Sequence, residues 1–113
     1  IKNNHIAAAG GVRPALAAAA VAGVPVQIEV RSMEELREAL DCGVQRLLLD
    51  NLSPQTAHDW ITLIAGRATV EISGGINLDT VRNYAETGAD FVSVGAITHS
   101  APAVDLSFRL ELL

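Results

Sequence analysis

Four positions with chemical potential recur along the chain at a steady interval. Glu29, Asp50, Ser73 and Gly95 lie 21 to 23 residues apart. Each falls in or just after a short apolar run: Val26–Val30, Val44–Leu49, Ala68–Ile72 and Phe91–Val94. A carboxylate in such a run is costly unless it is paired, bound to metal or open to a wet rim. On neighbouring strands, Glu29 and Asp50 could face a shared centre, hold Mg²⁺ or accept hydrogen bonds from sugar hydroxyls. The plainer alternatives are a structural ion pair for Glu29 and a capping or turn role for Asp50.

Ser73-Gly74-Gly75 and Gly95-Ala96 each follow a strand-like run. Glycine has no Cβ, so the backbone N–H groups of such loops can touch phosphate oxygens. The Ser73 hydroxyl adds a donor. Two glycine loops on adjacent late strands form the phosphate-binding arrangement common in βα-barrels. The alternative is that the glycines only permit tight turns. Glu71, two residues before Ser73, points to the same face and serves either structure or function. Lys2 suits an anionic substrate, although a lone lysine is most often a solvated charge. His5 flanks the same segment, and His99 follows the second glycine loop near its mouth. His58 falls mid-helix and reads as a surface residue.

The interval is the length of one short β-loop-α-loop unit, and repeated units require parallel strands with right-handed crossovers. Helix signals fill the gaps. Ser32 and Glu35 form a capping box, Leu36 and Leu40 share a face, and Gly43 closes that helix. Ser53-Pro54 starts another, with Trp60, Ile61 and Ile64 along it and Gly66 at its end. Asn77 caps a third, with Val81, Tyr84 and Ala85 inward and Gly88 after it. An earlier helix runs from about Pro14 to Ala22, before Gly23. Ile1 to His5 reads as the end of one more strand. With helices on one side only, such a sheet curls into a barrel. The expected fold is therefore α/β, with parallel βα repeats forming the second part of an open α/β (TIM-like) barrel. A doubly wound open sheet is the alternative, weakened by the missing Rossmann glycine fingerprint.

The 113 residues suffice for one domain, and 50% of them are hydrophobic, so a real core can form. The formal net charge of −5 argues against nucleic acid or an anionic membrane as the main partner. The single cysteine, Cys42, cannot form an intrachain disulfide and reads as a small apolar filler. With no signal-peptide pattern and no membrane-length apolar run, the expected location is cytoplasmic. A start at Ile1 suggests that an N-terminal portion is absent.

Several motifs, in order and in spacing, resemble those of the quinolinate phosphoribosyltransferases. Ile-Lys-Asn-Asn-His-Ile (1–6) is similar to the family's Lys-Asp/Glu-Asn-His, with Asn3 in place of the acidic residue. Gln27-Ile28-Glu29-Val30 resembles Glu-Val-Glu-Val, with Gln27 replacing the first Glu. Leu-Leu-Leu-Asp-Asn (47–51), Glu-Ile-Ser-Gly-Gly-Ile (71–76), Ala-Glu-Thr-Gly-Ala-Asp (85–90), Ser-Val-Gly-Ala-Ile-Thr-His-Ser (93–100) and the closing stretch 103–107 also match.

The resemblance implies an N-terminal α/β sandwich followed by an open barrel, in a homodimer that shares its sites. Residues 1–113 would be part of that barrel, without the sandwich and the first barrel strands. It also implies the activity: quinolinate and phosphoribosyl pyrophosphate (PRPP) give nicotinate mononucleotide, pyrophosphate and CO₂, with Mg²⁺, in NAD biosynthesis. Carried over, Lys2 would bind substrate anions, and Glu29 and Asp50 would hold the ribose hydroxyls and the metal region. Ser73, Gly74 and Gly95, with Ala96 beside it, would hold the 5′-phosphate. Rival readings are another phosphate-binding barrel, as in thiamine or tryptophan synthesis, the molybdenum-transport-associated homologue, and a non-catalytic fragment that pairs with a second copy.

The family's arginines and lysines for the quinolinate carboxylates mostly precede this stretch, and Arg13, Arg31 and Arg46 do not match them. Weak or absent quinolinate turnover is expected of the isolated 113 residues. A steady-state assay reads this directly, and full activity would refute it.

Overall fold

The computed structural model describes residues 1–112. Their elements are α1 (Asn3–Ala9), α2 (Val12–Ala20), β1 (Gln27–Val30), α3 (Met33–Asp41), β2 (Arg46–Asp50), α4 (Pro54–Ile64), β3 (Thr69–Ser73), α5 (Val81–Ala85), β4 (Phe91–Val92) and α6 (Ala96–His99). The sheet has four strands in the order β1-β2-β3-β4, all parallel. Strand order follows chain order without reversal. A doubly wound sheet reverses its order at a switch point, so that alternative is set aside.

Side chains alternate across each strand. Ile28, Val30, Leu47, Leu49, Val70 and Ile72 point one way and are buried. They share a core with Leu36, Ala39 and Leu40 of α3 and with Ala57, Trp60 and Ile64 of α4. The opposite face carries Gln27, Glu29, Arg46, Leu48, Asp50, Thr69, Glu71 and Ser73, of which only Glu29 is buried. One face of the sheet is thus apolar and helix-covered, and the other is largely polar.

The helix starts follow their signals, with local shifts. The Ser32 hydroxyl accepts the Glu35 N–H, but the Glu35 carboxylate takes the N–H of Arg31 and not of Ser32, so the capping box is displaced by one residue. Ser53 accepts the Thr56 N–H, with Pro54 at the first helical position. Helix α2 begins at Val12, with Pro14 inside its first turn, where a missing N–H costs nothing. Asn77 caps a turn, accepting the N–H groups of Asp79 and Thr80, and α5 starts only at Val81. Val81 and Tyr84 are half-buried, whereas Ala85 is exposed and not inward.

The segment Ile1–His5 is strand-like only at its first residue. The Ile1 nitrogen donates to the Gln27 carbonyl (2.6 Å), and the Glu29 N–H donates to the Ile1 carbonyl (3.0 Å). These bonds bracket Ile28, as in a parallel bridge. Helix α1 then begins at Asn3, because the His5 Nδ1 accepts the Lys2 N–H (2.9 Å) and caps the turn. His5 is therefore a helix residue and not a strand-end one.

After Ser100 the described chain forms neither helix nor strand and is exposed. Val104, Leu106, Phe108, Leu110 and Leu112 alternate with polar residues and are 71–92% exposed. Ending the chain after Ser100 is expected to shift the thermal midpoint by less than about 2 °C, since surface changes away from packing are close to neutral. Leu47→Ala should cost about 3 kcal/mol in urea unfolding, by opening a cavity between sheet and helices. Comparable losses from both changes would contradict this division.

Candidate functional site

Strand register arranges the polar face in rows. Glu29 lies beside Leu48, Leu48 beside Glu71, and Glu71 beside Phe91. One step toward the strand ends, Asp50 lies beside Ser73. The Ser93 N–H bonds the Ile72 carbonyl and extends that upper row. Neighbouring parallel strands lie about 4.8 Å apart. Asp50, Ser73 and the start of the Gly95 loop therefore stand at one rim, with Glu29 one row below. The Ile1 bridge places Lys2 next in register beside Glu29, with an exposed side chain.

The two glycine loops enclose a cavity of about 290 Å³, lined by Ser73, Gly74, Gly75, Ile76, Asn77, Gly95, Ala96 and His99. Gly74 has φ +92°, and a Cβ there would fall 2.6 Å from Asn51 atoms. Both conformation and space therefore demand glycine. Gly95 has an ordinary helical φ of −62°, so its reason is different. A Cβ on it would lie 2.7 Å from the His99 Nε2, whose ring packs over the loop. The other ring nitrogen, Nδ1, lies 2.7 Å from the Ser100 hydroxyl. Among the described residues, the N–H groups of Gly74, Gly75 and Ala96 make no backbone hydrogen bond outside regular elements. They are the donors an anion at this rim would meet.

The three carboxylates differ in their engagement. Glu29 is buried, and its Oε1 is paired with Arg31 at 3.2 Å, so the ion-pair alternative describes one of its two oxygens. Asp50 is half-buried, and its Oδ2 accepts the Asn51 amide at 2.7 Å. It does not cap α4, because Ser53 does. Glu71 has both oxygens taken: Oε1 accepts the Ser93 hydroxyl at 2.5 Å and Oε2 accepts the Gln27 amide at 2.8 Å. The Ser93 bond first, and the Gln27 bond second, hold its carboxyl below the usual carboxylate range against the opposing effect of burial. Glu71, on β3, thus ties β1 to the residue just after β4 across the polar face.

The chemistry residues Glu29, Asp50, Ser73, Gly74, Gly95, Ala96 and His99 all come to this face or its rim. His5 goes to α1 instead. Among the described residues, no three His, Cys, Asp or Glu side chains gather as a metal cage.

The profile described as quinolinate phosphoribosyl transferase, C-terminal domain, matches residues 1–109. The chain belongs to that family. The human protein named nicotinate-nucleotide pyrophosphorylase [carboxylating] is 37% identical over 97% of this chain and 39% of its own length. The Bacillus subtilis protein named probable nicotinate-nucleotide pyrophosphorylase [carboxylating] is 35% identical over 99% of this chain and 40% of its own. Among solved structures, the nicotinate-nucleotide pyrophosphorylase of Francisella tularensis superposes with a TM-score of 0.83 at 37% identity, over 95% of this chain and 39% of the other. NadC from Streptococcus pyogenes does so with a TM-score of 0.83 at 41% identity, over 93% and 38%. The chain thus spans about two-fifths of the length of these relatives. The parallel βα repeats are those of the open α/β barrel in the quinolinate phosphoribosyltransferase C-terminal domain.

Several residues at this rim carry contacts that the sequence pattern did not reveal. Asn51, next to Asp50, has a left-handed backbone (φ 57°) and packs against Gly74. Its signal was an asparagine directly after a strand, one of the few residue types that tolerate this conformation. Gln27 and Ser93 were detectable only as polar residues in phase with Glu71, and Arg31 only by its i+2 spacing from Glu29.

The brace has a pH signature. Because the folded carboxyl of Glu71 titrates below its ordinary 4.5, its stabilisation is present above about pH 4.5 and is lost as pH falls through the lower folded value. Glu71→Ala should cost about 2 kcal/mol at pH 7, the scale of hydrogen bonds to a charged group. Denaturation at stepped pH should show that cost shrinking below pH 4.5, and a cost unchanged down to pH 3 would overturn the assignment.

Proposed function

We propose that this chain supplies the ribose-phosphate half of a quinolinate phosphoribosyltransferase site. The whole enzyme would join quinolinate to PRPP and release nicotinate mononucleotide, pyrophosphate and CO₂. The observation that carries this reading is the convergence of Asp50, Ser73–Gly75 and Gly95–Ala96 at one rim around a cavity of about 290 Å³.

In this reading the Ser73 hydroxyl and the N–H groups of Gly74, Gly75 and Ala96 hold the 5′-phosphate. Asp50 and Glu29, beside and below that cavity, accept the ribose hydroxyls. Departure of pyrophosphate builds positive charge at the anomeric carbon, and fixed carboxylates near the ribose stabilise it. Lys2, in register beside Glu29, offers a cation to substrate anions. No side-chain nucleophile enters the scheme.

Two carboxylates on neighbouring strands suit Mg²⁺, which is commonly held by one or two carboxylates together with substrate phosphates and water. Glu29 and Asp50 would hold it, each having one oxygen not spent on its neighbour. Bound there, the ion would supply charge neutralisation for the leaving pyrophosphate.

A homodimer belongs to the same reading. Leu78 and Ile97 beside the glycine loops are exposed in the chain alone and favour burial against further protein. No helix is long and apolar enough to cross a membrane. Relatives named chloroplastic and mitochondrial show that compartment varies, and a cytoplasmic site of action is the version proposed here.

Calorimetric titration with nicotinate mononucleotide tests the site. Ser73→Ala should weaken binding about tenfold by removing one hydrogen bond to a charged group. Gly95→Ala should weaken it less, because the exposed His99 ring can turn away from the added methyl group. Unchanged affinity in both variants would count decisively against a phosphate in this cavity.

A further inference from the structure

We propose that Asn51 is a positioning residue that couples the Asp50 carboxylate to the Ser73–Gly75 loop. The inference rests on the ribose-phosphate reading of the site and adds to it a residue that touches neither phosphate nor ribose.

Asn51 and Ala65 are the non-glycine residues with positive φ among those described. Ala65 closes α4, where a left-handed residue is a common helix ending. Asn51 stands at the functional rim instead, between the last residue of β2 and the approach to α4. An off-region backbone persists only where its surroundings fix it, and such sites often carry function.

The surroundings of Asn51 do fix it. Its side-chain amide donates to the Asp50 Oδ2 at 2.7 Å. Its backbone N–H donates to the Ser73 carbonyl at 3.0 Å. Its N, Cγ and Oδ1 lie where a Gly74 Cβ would come within 2.6 Å, so the glycine loop rests directly on it. Behind it, the Tyr84 hydroxyl donates to the Leu52 carbonyl at 3.1 Å and anchors the next residue to α5. One residue therefore touches the acid proposed for the ribose and the loop proposed for the phosphate. The left-handed turn makes both contacts simultaneous. It swings the main chain toward Ser73 and lets the short amide curl back onto Asp50. Aspartate would keep the size and backbone tolerance but lose the donor. Glycine would keep the backbone and lose the amide.

The test is a double-mutant cycle between Asn51→Gly and Asp50→Ala, read by nicotinate mononucleotide affinity and by inorganic phosphate affinity. Asn51→Gly alone should weaken the nucleotide about tenfold while phosphate changes by less than about threefold. In the Asp50→Ala background its further effect on the nucleotide should shrink to less than about threefold, the part carried by the Ser73–Gly75 loop, because the carboxylate it aims is gone. Additive losses, or equal losses for both probes, would show a merely structural role and overturn the proposal. If Asn51→Gly does not fold, Asn51→Asp replaces it in the same cycle. If the unaltered chain binds neither probe, the ribose-phosphate reading fails, and the coupling is judged on the ligand-free amide spectrum. There Asn51→Gly should move the Gly74 and Gly75 resonances and leave those of Leu47 and Leu49 in place, and an unmoved Gly74 would overturn it.

Discussion

The site depends on the two-residue period of a β-strand. Each strand buries one set of side chains against α3 and α4, and the core fixes which set that is. A slip of one residue would turn Leu47 and Leu49 outward and drive Leu48 and Asp50 into the core, exposing apolar surface and burying an unpaired charge together. The hydrophobic core therefore sets the register. The register in turn sets which polar residues share a face, and their spacing across strands follows from backbone hydrogen bonding. Most of the positional precision of the rim comes from residues that never approach it.

The polar face needs its own reinforcement, because helices cover only the other side. It is laced by contacts between strands and loops: Gln27 and Ser93 onto Glu71, Arg31 onto Glu29, and Asn51 between Asp50 and Gly74. Such contacts restrict carboxylates that would otherwise repel one another and wander. They also leave selected atoms unspent. Among the described residues, the Ser73 hydroxyl and the N–H groups of Gly74, Gly75 and Ala96 have no protein partner, while Glu71, with both oxygens taken, works as a brace. Of the two roles that the sequence left open for Glu71, structural and functional, these contacts are those of the structural one.

Much of the architecture was legible in the sequence because it rests on local rules. The repeated interval, the Ser32 and Ser53 caps, Pro54 and the late glycines each reported a nearby constraint, and strand and helix appeared close to the expected places. The misreadings share one cause, competition from contacts that a local pattern does not contain. The segment Ile1–His5 looked extended, yet His5 caps a helix start, and only Ile1 joins the sheet. Asn51 was quoted within a motif but given no role, since its importance lies in Gly74, which is 23 residues away in sequence and adjacent in space. The absence of a Cβ at Gly95 was read as access for phosphate, and the structure adds that the tip of the exposed His99 ring lies over that glycine.

The most direct test of the account is a crystal structure of the protein with nicotinate mononucleotide bound. The account requires the phosphate between Ser73–Gly75 and Gly95–Ala96, with the ribose turned toward Asp50 and Glu29. A phosphate seated elsewhere, or a ribose facing away from both carboxylates, would contradict it.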